Sequence, residues 1–377
     1  MADAFSDLPD ALVRDLLSKA VPIGDAVRER MERLRSSRDS VRDTAKSKRM
    51  INRKADLDVT REPSVAGVDG SYQIHRLTAL DLCAAAAVAI EGTSKEERRH
   101  WQEPYHRIWV DGLPHNVDSV GPLRGLMVSM EVELASEAPH DLVLLDGSFS
   151  SLVIYLNQGL EKLSQTAASL REELNNHWAK ETLLDRLISL LQSDRTVAIP
   201  KYTSRNELIQ DMAIRLPEEV DGKTLATLIL EPGEYTAPIP VHGATAHRKA
   251  ETYHLPTEFC NQSANESLNH VLQDIQVVYF RPYHWLPALR LEIPGPATRN
   301  PQKLSMVLEG VTRQLFSPAV YEPYPLFLAD RMVKSLGAGV AVIEQSVSQH
   351  VVGNSADVET TMLYLQNYRT EGGRGGV

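Results

Sequence analysis

Two Asp-Gly-Ser triplets, each following a short apolar run, are the residues of this sequence best placed to do chemistry. Asp69 follows the apolar run 65–68, and Asp146 follows the run 142–145. Because glycine tolerates a positive φ and lets a ligand approach the backbone, each triplet is predicted to turn at the end of a buried strand. Two carboxylates on neighbouring strand ends would suit hard divalent cations such as Mg²⁺ or Mn²⁺. The alternative is that both triplets are plain turns.

A helix predicted at residues 120–138, between the triplets, offers a third carboxylate. Glu131 has apolar residues three and four positions away on both sides, which places it along the buried face of that helix. An inward glutamate is costly unless it is paired or binds a metal. Glu133 has mainly polar neighbours at those spacings and is expected on a solvated face. Glu131 is therefore the better third ligand, unless it is a boundary residue that bends out to water.

The remaining pattern indicates an α/β protein in which strands alternate with helices. Residues 8–50 favour two helices separated by a break at Pro22 and Gly24. Residues 77–90 are a buried strand or helix, which periodicity cannot distinguish. A long helical stretch is predicted from about residue 150 to 193, and a hairpin from strands at 276–280 and 288–293.

Charge is unevenly distributed, with a basic N-terminal arm on an acidic body. The net charge is −10, yet residues 28–54 contain 11 Lys+Arg and 4 Asp+Glu. Such an arm contacts phosphates, an acidic partner or the body itself, or its charges are only the solvated face of a helix. We predict a helical arm at residues 1–58, a main domain at 59–345 with a helical insertion at about 150–195, and a C-terminal segment at 346–377. The Gly-rich end from residue 370 is predicted to be disordered.

The same composition argues against membrane and secreted classes. No run of 18 apolar residues occurs, and the N-terminus lacks the basic and apolar regions of a secretory signal. Cys83 and Cys260 form neither a CxxC motif nor a zinc pattern. A reduced, cytoplasmic setting is therefore expected.

Six short segments occur in the order found in one known family. They are GVDGS at 67–71, SMEVELA at 129–135, VLLDGSFSSL at 143–152, AIPKYTSRNEL at 198–208, LRLEIP at 289–294 and EPYPLFLADRMVK at 322–334. Over roughly residues 60–340 the chain thus resembles the NurA nucleases. The resemblance implies an RNase H-like mixed α/β sheet flanked by helices, and a Mn²⁺- or Mg²⁺-dependent DNA nuclease. It also implies a homodimer that works with a HerA-type hexameric ATPase in DNA end processing or defence.

The resemblance also implies roles for particular residues. Asp69, Glu131 and Asp146 would be metal-binding carboxylates. The family's fourth ligand is usually a histidine in a YPxPLxxAH-like stretch, and Asp330 stands at that place here. Because aspartate also binds Mg²⁺ or Mn²⁺, this departure affects the expected metal preference more than activity. Alternatively, Asp330 is an ordinary ion-pair partner of Lys334 at i+4.

Other candidate residues keep two interpretations each. Lys201, after a predicted strand, either stabilises transition-state charge or is an ordinary surface lysine. The aromatic stretch from Tyr279 to Trp285 either stacks on bases or packs in the core.

The chemistry predicted for the whole set is phosphodiester hydrolysis with two metal ions bridged by Asp69. Two rival functions remain. One is an actin-like phosphotransferase, which would hold phosphates with its Asp-Gly turns. The other is a NurA-like DNA clamp or adaptor that has lost catalysis.

Overall fold

A computed structural model of the chain describes residues 8–58, 61–94, 99–241 and 252–366, so the predicted disordered tail lies outside the described residues. The elements of the first half are α1 (Asp10–Ser47), β1 (Ile51–Arg53), β2 (Val65–Arg76), β3 (Asp81–Glu91), β4 (Tyr105–Leu113), α2 (Val120–Glu137), β5 (Leu142–Asp146), α3 (Phe149–Glu161), α4 (Ala168–Ala179), α5 (Leu183–Gln192) and β6 (Thr196–Ile199). The predicted helical stretch after residue 150 is therefore confirmed as three helices.

The second half adds shorter strands and the helices of the opposite face. Its elements are α6 (Glu207–Met212), α7 (Gly222–Ile229), β7 (Glu234–Thr236), β8 (Ile239–Pro240), α8 (Gln262–Gln273), β9 (Ile275–Arg281), β10 (Leu289–Pro294), α9 (Gly295–Thr298), α10 (Pro301–Arg313), α11 (Tyr324–Lys334), α12 (Leu336–Gly353) and α13 (Val358–Tyr364). β9 and β10 pair antiparallel, which confirms the predicted hairpin. No helix among the described residues is both long enough and apolar enough to cross a membrane.

Within the described residues, the strands form one mixed sheet in the order β1-β7-β9-β10-β6-β5-β2-β3-β4, with β8 beside β9. β5 lies parallel to both β2 and β6, whereas β3 and β4 continue the sheet antiparallel. The Ala-rich stretch after residue 80 is the strand β3, although alanine favours helices. Its small side chains are buried on both faces, so tertiary packing outweighs that local preference.

Two layers of helices cover the sheet. On one face, α2 to α5 and α8 pack in an apolar core that contains Leu126, Leu152 and Leu187. On the other face, α10 and α11 bury Val307 and Leu326 against the central strands. The α2 helix lies between the sheet and α3 to α5, so most of its circumference is buried. This central helix carries Glu131.

The arm is one continuous helix of 38 residues, so the predicted break at Pro22 and Gly24 is wrong. Pro22 removes the hydrogen bond to the carbonyl of Ser18, and its ring crowds that carbonyl. This part of α1 is exposed, so water can satisfy that carbonyl.

The second half of the arm is held to the body by arginine–glutamate pairs. Arg42 donates two hydrogen bonds to Glu234, at 2.7 and 2.8 Å. Arg33 pairs with Glu218 at 2.5 Å, and Arg38 pairs with Glu231. These cations contact the body itself, which was one of the four interpretations of the basic arm.

Candidate active site

Asp69 lies in the middle of β2 rather than in a turn at its end. The strand continues to Arg76, and Asp69 pairs with Val88 of β3. The predicted turn at the first triplet is therefore wrong, and Gly70 has no positive φ. Asp69 still reaches the edge of the parallel strands, because Val68 pairs with Leu145 and brings Asp69 level with Asp146.

The second triplet does form the predicted turn between a strand and a helix. Asp146 ends β5, and Gly147 adopts a φ of +82°, which a side chain would disfavour. Ser148 then caps α3 by accepting a hydrogen bond from the N–H of Ser151 at 3.2 Å. The carboxylate of Asp146 accepts from the N–H of Gly147 at 2.9 Å. The turn thus fixes the direction of this carboxylate.

Three aspartates that are far apart in sequence converge at this edge. Asp69, Asp146 and Asp330 each offer a carboxylate oxygen, and these oxygens lie within 4.8 Å of one another. Asp330 comes from α11, whose first turn packs so closely on β2 that a Cβ at Gly67 would lie 2.7 Å from the backbone N of Leu326. Asp330 also pairs with Lys334 at 2.9 Å. Asp330 therefore belongs to the cluster of aspartates and also pairs with Lys334, although the sequence had presented these as alternatives.

Glu131 points inward from α2 beside this cluster. It is 7% exposed and lines the same cleft, which has a volume of about 540 Å³. A Cβ at Gly70 would lie 2.5 Å from its Oε1, so only glycine leaves room for this carboxylate. Burial, and then the charges of Asp69 and Asp146, raise the pKa of Glu131 well above its ordinary value. The inward placement predicted for Glu131 is thus seen in the structure.

The prediction for Glu133 was wrong, because this residue is 2% exposed. Helices α4 and α5 cover the face that the sequence pattern suggested was solvated. Glu133 accepts a hydrogen bond from the buried ring of His177 on α4. A glutamate with polar neighbours can thus be buried when a second helix supplies its partner.

The carboxylates of the cluster and the lysines beside them shift one another's pKa. Burial, followed by the charge of Asp146, raises the pKa of Asp69 to about 8. Burial would also raise the pKa of Asp330, but Lys334 and Lys201 outweigh it and lower that pKa. A nearby cation would favour the ionised form of these carboxylates.

Lys201 supplies one such cation from the loop after β6. Its Nζ lies 3.0 Å from Asp146, 3.0 Å from Asp330 and 3.1 Å from Glu322. Burial alone would lower the pKa of Lys201, but these carboxylates outweigh it and raise the pKa. Lys201 is thus a charged member of the site and not an ordinary surface lysine.

The donor set fits a hard divalent cation. It consists of carboxylate oxygens from different elements, without a cysteine or histidine in the cluster of Asp69, Asp146 and Asp330. Oxygen-only sites suit Mg²⁺ and Mn²⁺ better than they suit zinc. The residues present therefore match the metal class expected from the sequence.

A buried charge network supports the turn after β5. Arg290 of β10 is 1% exposed and contacts Glu207, at 2.8 Å from its Nε, and Glu292. Glu292 also accepts from the N–H of Phe149 at 2.8 Å, in the first turn of α3. Arg290 and Glu292 both line the cleft. This network connects β10 with the helix that follows Asp146.

Sequence reasoning missed Glu322 and the network around Arg290. Glu322 lies just ahead of α11 and outside the helix, so helical spacing gives no signal for it. The Glu207 contact had no local signal either, because 83 residues separate Glu207 from Arg290.

The aromatic stretch at 279–285 is mainly core. Tyr279 and Phe280 are fully buried, and Tyr283 stacks on Trp285 with ring centroids 5.0 Å apart. Packing is therefore the interpretation that holds for Tyr279 and Phe280.

Comparison with known proteins places these features in a family. The family model described as the NurA domain matches residues 63–335. A search of curated protein sequences found no match.

Solved structures share the fold at low sequence identity. The NurA nuclease from Sulfolobus solfataricus superposes with a TM-score of 0.58 at 14% identity, over 89% of this chain and 97% of that chain. A NurA crystal structure with manganese gives a TM-score of 0.50 at 13% identity, over 89% of this chain and 99% of that chain. The predicted RNase H-like mixed sheet flanked by helices is thereby confirmed.

Proposed function

Because the chain belongs to the NurA family of nucleases, we propose that it is a divalent-metal-dependent deoxyribonuclease that hydrolyses phosphodiester bonds. The observation that carries the proposal is the convergence of Asp69, Asp146 and Asp330 within 4.8 Å, with Glu131 buried beside them. These residues come from β2, β5, α11 and α2. A purely structural role would not explain four carboxylates from four elements in one cleft.

We propose that Asp69, Asp146 and Asp330 hold Mn²⁺ or Mg²⁺, with Glu131 as a further ligand. Such ions, when bound, activate a water molecule and stabilise the leaving oxygen, which is the two-metal chemistry. The charge of Asp69 acts on Glu131, and the charge of Asp146 acts on Asp69, so Asp69 would be the shared ligand if two ions bind. The structure of NurA with manganese supports the choice of metal class.

Lys201 has a separate role in the proposal. Its ammonium group contacts Asp146 and Asp330, so it orients two of the metal-binding carboxylates. It lines the cleft as well, where a positive charge favours the negative charge that develops on a phosphodiester. We therefore assign Lys201 to positioning and to charge stabilisation.

The test is cleavage of end-labelled single- and double-stranded DNA with Mn²⁺ or Mg²⁺. We expect Asp69→Ala and Asp146→Ala to lose cleavage while their circular dichroism spectra match wild type. Asp39→Ala is the matched control, because the Asp39 side chain is 90% exposed on the arm. Full cleavage by either site variant would contradict the mechanism, and DNA binding without any cleavage by wild type would favour the clamp or adaptor.

We also propose a homodimer that works in the cytoplasm with a HerA-type hexameric ATPase. An exposed apolar stripe on the first half of α1 supports self-association, since it includes Leu12, Leu16, Ile23 and Val27. Sedimentation equilibrium should give twice the chain mass for wild type, and the monomer mass for Leu16→Glu/Ile23→Glu. Val117→Glu is the control, because Val117 is exposed elsewhere. Co-sedimentation with a purified HerA-type ATPase tests the second partner, which rests on family membership alone.

A further inference from the structure

Two clefts meet at the loop after β6. Lys201, Tyr202 and Thr203 line both the catalytic cleft and a second groove of about 940 Å³ between α1 and α7. Tyr202 stands at the junction and is 94% exposed. The ring of Tyr202 has almost no packing contact and lies beside Lys201, so it is free to stack on a ligand.

The second groove has a cationic rim above an apolar floor. Its cations, apart from Lys201, are Arg28, Arg35, Arg38, Lys223 and Arg281, against the carboxylates of Glu32 and Asp221. Its apolar residues include Leu34, Val220, Leu225, Leu228 and Pro287. The excess of cations suits a polyanion, and the floor suits the flat faces of unpaired bases.

Two of these cations have no acidic partner among the described residues. Lys223 is half-buried and forms no ion pair there, and it donates to the carbonyl of Lys201 at 2.8 Å. Burial lowers the pKa of Lys223 and outweighs the charge of Asp221, which is not in ion-pair contact with it. Arg35 likewise makes no ion pair within the described ranges, whereas Arg38 is held by Glu231. An incoming phosphate would give both cations a partner.

We propose that this groove binds single-stranded DNA that runs on from the catalytic cleft, with Tyr202 stacked on a base at the junction. The cations of the rim contact phosphates on the far side of Tyr202 from the cluster of aspartates. A duplex hides the faces of its bases, so the ring and the floor select an unpaired strand. The proposal names the strand path for the nuclease proposed above, but binding in the groove does not require cleavage.

The first test measures binding of a fluorescein-labelled 20-mer of deoxythymidine in EDTA, which prevents cleavage. Stacking on an aromatic ring contributes about 1–3 kcal/mol per base, so Tyr202→Ala should weaken binding about 5- to 150-fold. Tyr202→Phe keeps the ring and should stay within about 2-fold of wild type, by the same principle. Equal affinity for wild type and Tyr202→Ala would overturn the proposal, as would an equal loss in the two variants.

The second test compares two double variants of the same helix. Arg28→Gln/Arg35→Gln removes two cations of the groove, whereas Arg14→Gln/Lys19→Gln removes two exposed cations of α1 that do not line it. The slope of log affinity against log salt should fall by about 1.4 for the groove variant, at about 0.7 per phosphate contact, and stay unchanged for the control. The same fall in both would show a diffuse charge effect and overturn the groove.

A third measurement separates this proposal from the proposed nuclease function. The Arg28→Gln/Arg35→Gln variant should cleave bis(p-nitrophenyl) phosphate at the wild-type rate with Mn²⁺, because this small ester needs only the catalytic cleft and these two arginines line only the second groove. If neither wild type nor any variant cleaves DNA or the small ester, the nuclease proposal fails. The binding tests still decide whether single-stranded DNA binds in the groove. If Tyr202→Ala weakens the binding of a blunt duplex as much as the binding of the single strand, the assignment to an unpaired strand is overturned.

Discussion

Replacing Arg290 by methionine tests whether the buried network under the active site is a structural requirement. Arg290 is 1% exposed and is the shared partner of Glu207 and Glu292. Methionine fills much of the same volume without a charge, so the substitution removes the cation and leaves little cavity. Two buried carboxylates then lose their counter-charge at once.

The expected loss of stability follows from that count. Removing one partner of a buried ion pair costs about 3–5 kcal/mol, and here two carboxylates share the partner, so we expect about 5 kcal/mol. That is a third or more of the stability of an ordinary protein, about 5–15 kcal/mol. Arg299→Met is the matched control, because Arg299 pairs with Asp274 at 2.5 Å while its side chain is 62% exposed. An exposed pair of this kind contributes at most about 1 kcal/mol.

Urea unfolding followed by circular dichroism measures both variants. A third protein, Arg290→Met/Glu207→Gln/Glu292→Gln, removes the two carboxylate charges as well and keeps acceptors for the N–H of Phe149 and the hydroxyl of Tyr279. The triple variant should recover most of the unfolding free energy that Arg290→Met loses, because that loss comes from unpaired buried charge. A loss below about 1 kcal/mol in Arg290→Met, or no recovery in the triple variant, would refute this reasoning.

Three further predictions concern the site and its surroundings. Burial and Asp146 raise the pKa of Asp69 to about 8, so ionisation of Asp69 destabilises the fold. Asp69→Asn should therefore raise the Tm in EDTA, and Mn²⁺ should raise the Tm of wild type only. A lower Tm for the variant in EDTA would contradict this prediction. Gly70→Ala should lower cleavage at least about 10-fold, since its Cβ would lie 2.5 Å from Glu131, whereas Gly112→Ala, whose Cβ meets only Leu80 at 3.5 Å, should stay active. Burial lowers the pKa of His140, and the N–H groups of His100 and Trp101 outweigh burial to lower the pKa of Glu91. The contribution of Glu91 is lost only below its ordinary pKa, whereas that of neutral His140 is lost as the pH falls past the ordinary histidine pKa. Wild type should therefore lose more urea resistance than His140→Gln between pH 7.5 and 5.5, and equal losses would count against a neutral, buried His140.

The parts of the site that the sequence predicted are those with a local pattern. The apolar run before Asp146, the glycine after it and the helix signal that follows determine a strand, a turn and a helix within about ten residues. Glu131 was placed inward by the residues one helical turn away on each side. Each of these inferences needs only the geometry of one element and its cap.

The errors have a common cause in distant contacts. Glu133 has polar neighbours in sequence, but α4 covers it and supplies His177 as a partner 44 residues away. The Asp69 triplet resembles a turn locally, yet β3 pairs along its whole length and keeps the strand extended. Pro22 was expected to end a helix, but exposure makes its missing hydrogen bond inexpensive. Local propensity fails where a second element determines the environment. The domain limits proposed from the sequence remain a prediction.

Because Asp69 lies inside an unbroken strand, the register of that strand decides which face of the sheet its carboxylate points to. Side chains alternate between the two faces of a strand, so the face of Asp69 depends on whether its offset from the β3 pairing is odd or even. Eleven consecutive pairs from Ala66 to Arg76 fix that offset. Deleting or inserting one residue before Asp69 would turn the carboxylate to the opposite face, although every catalytic residue would still be present in the sequence. Changes of chain length should therefore be tolerated in an exposed connection such as residues 102–104 and not at residues 65–69.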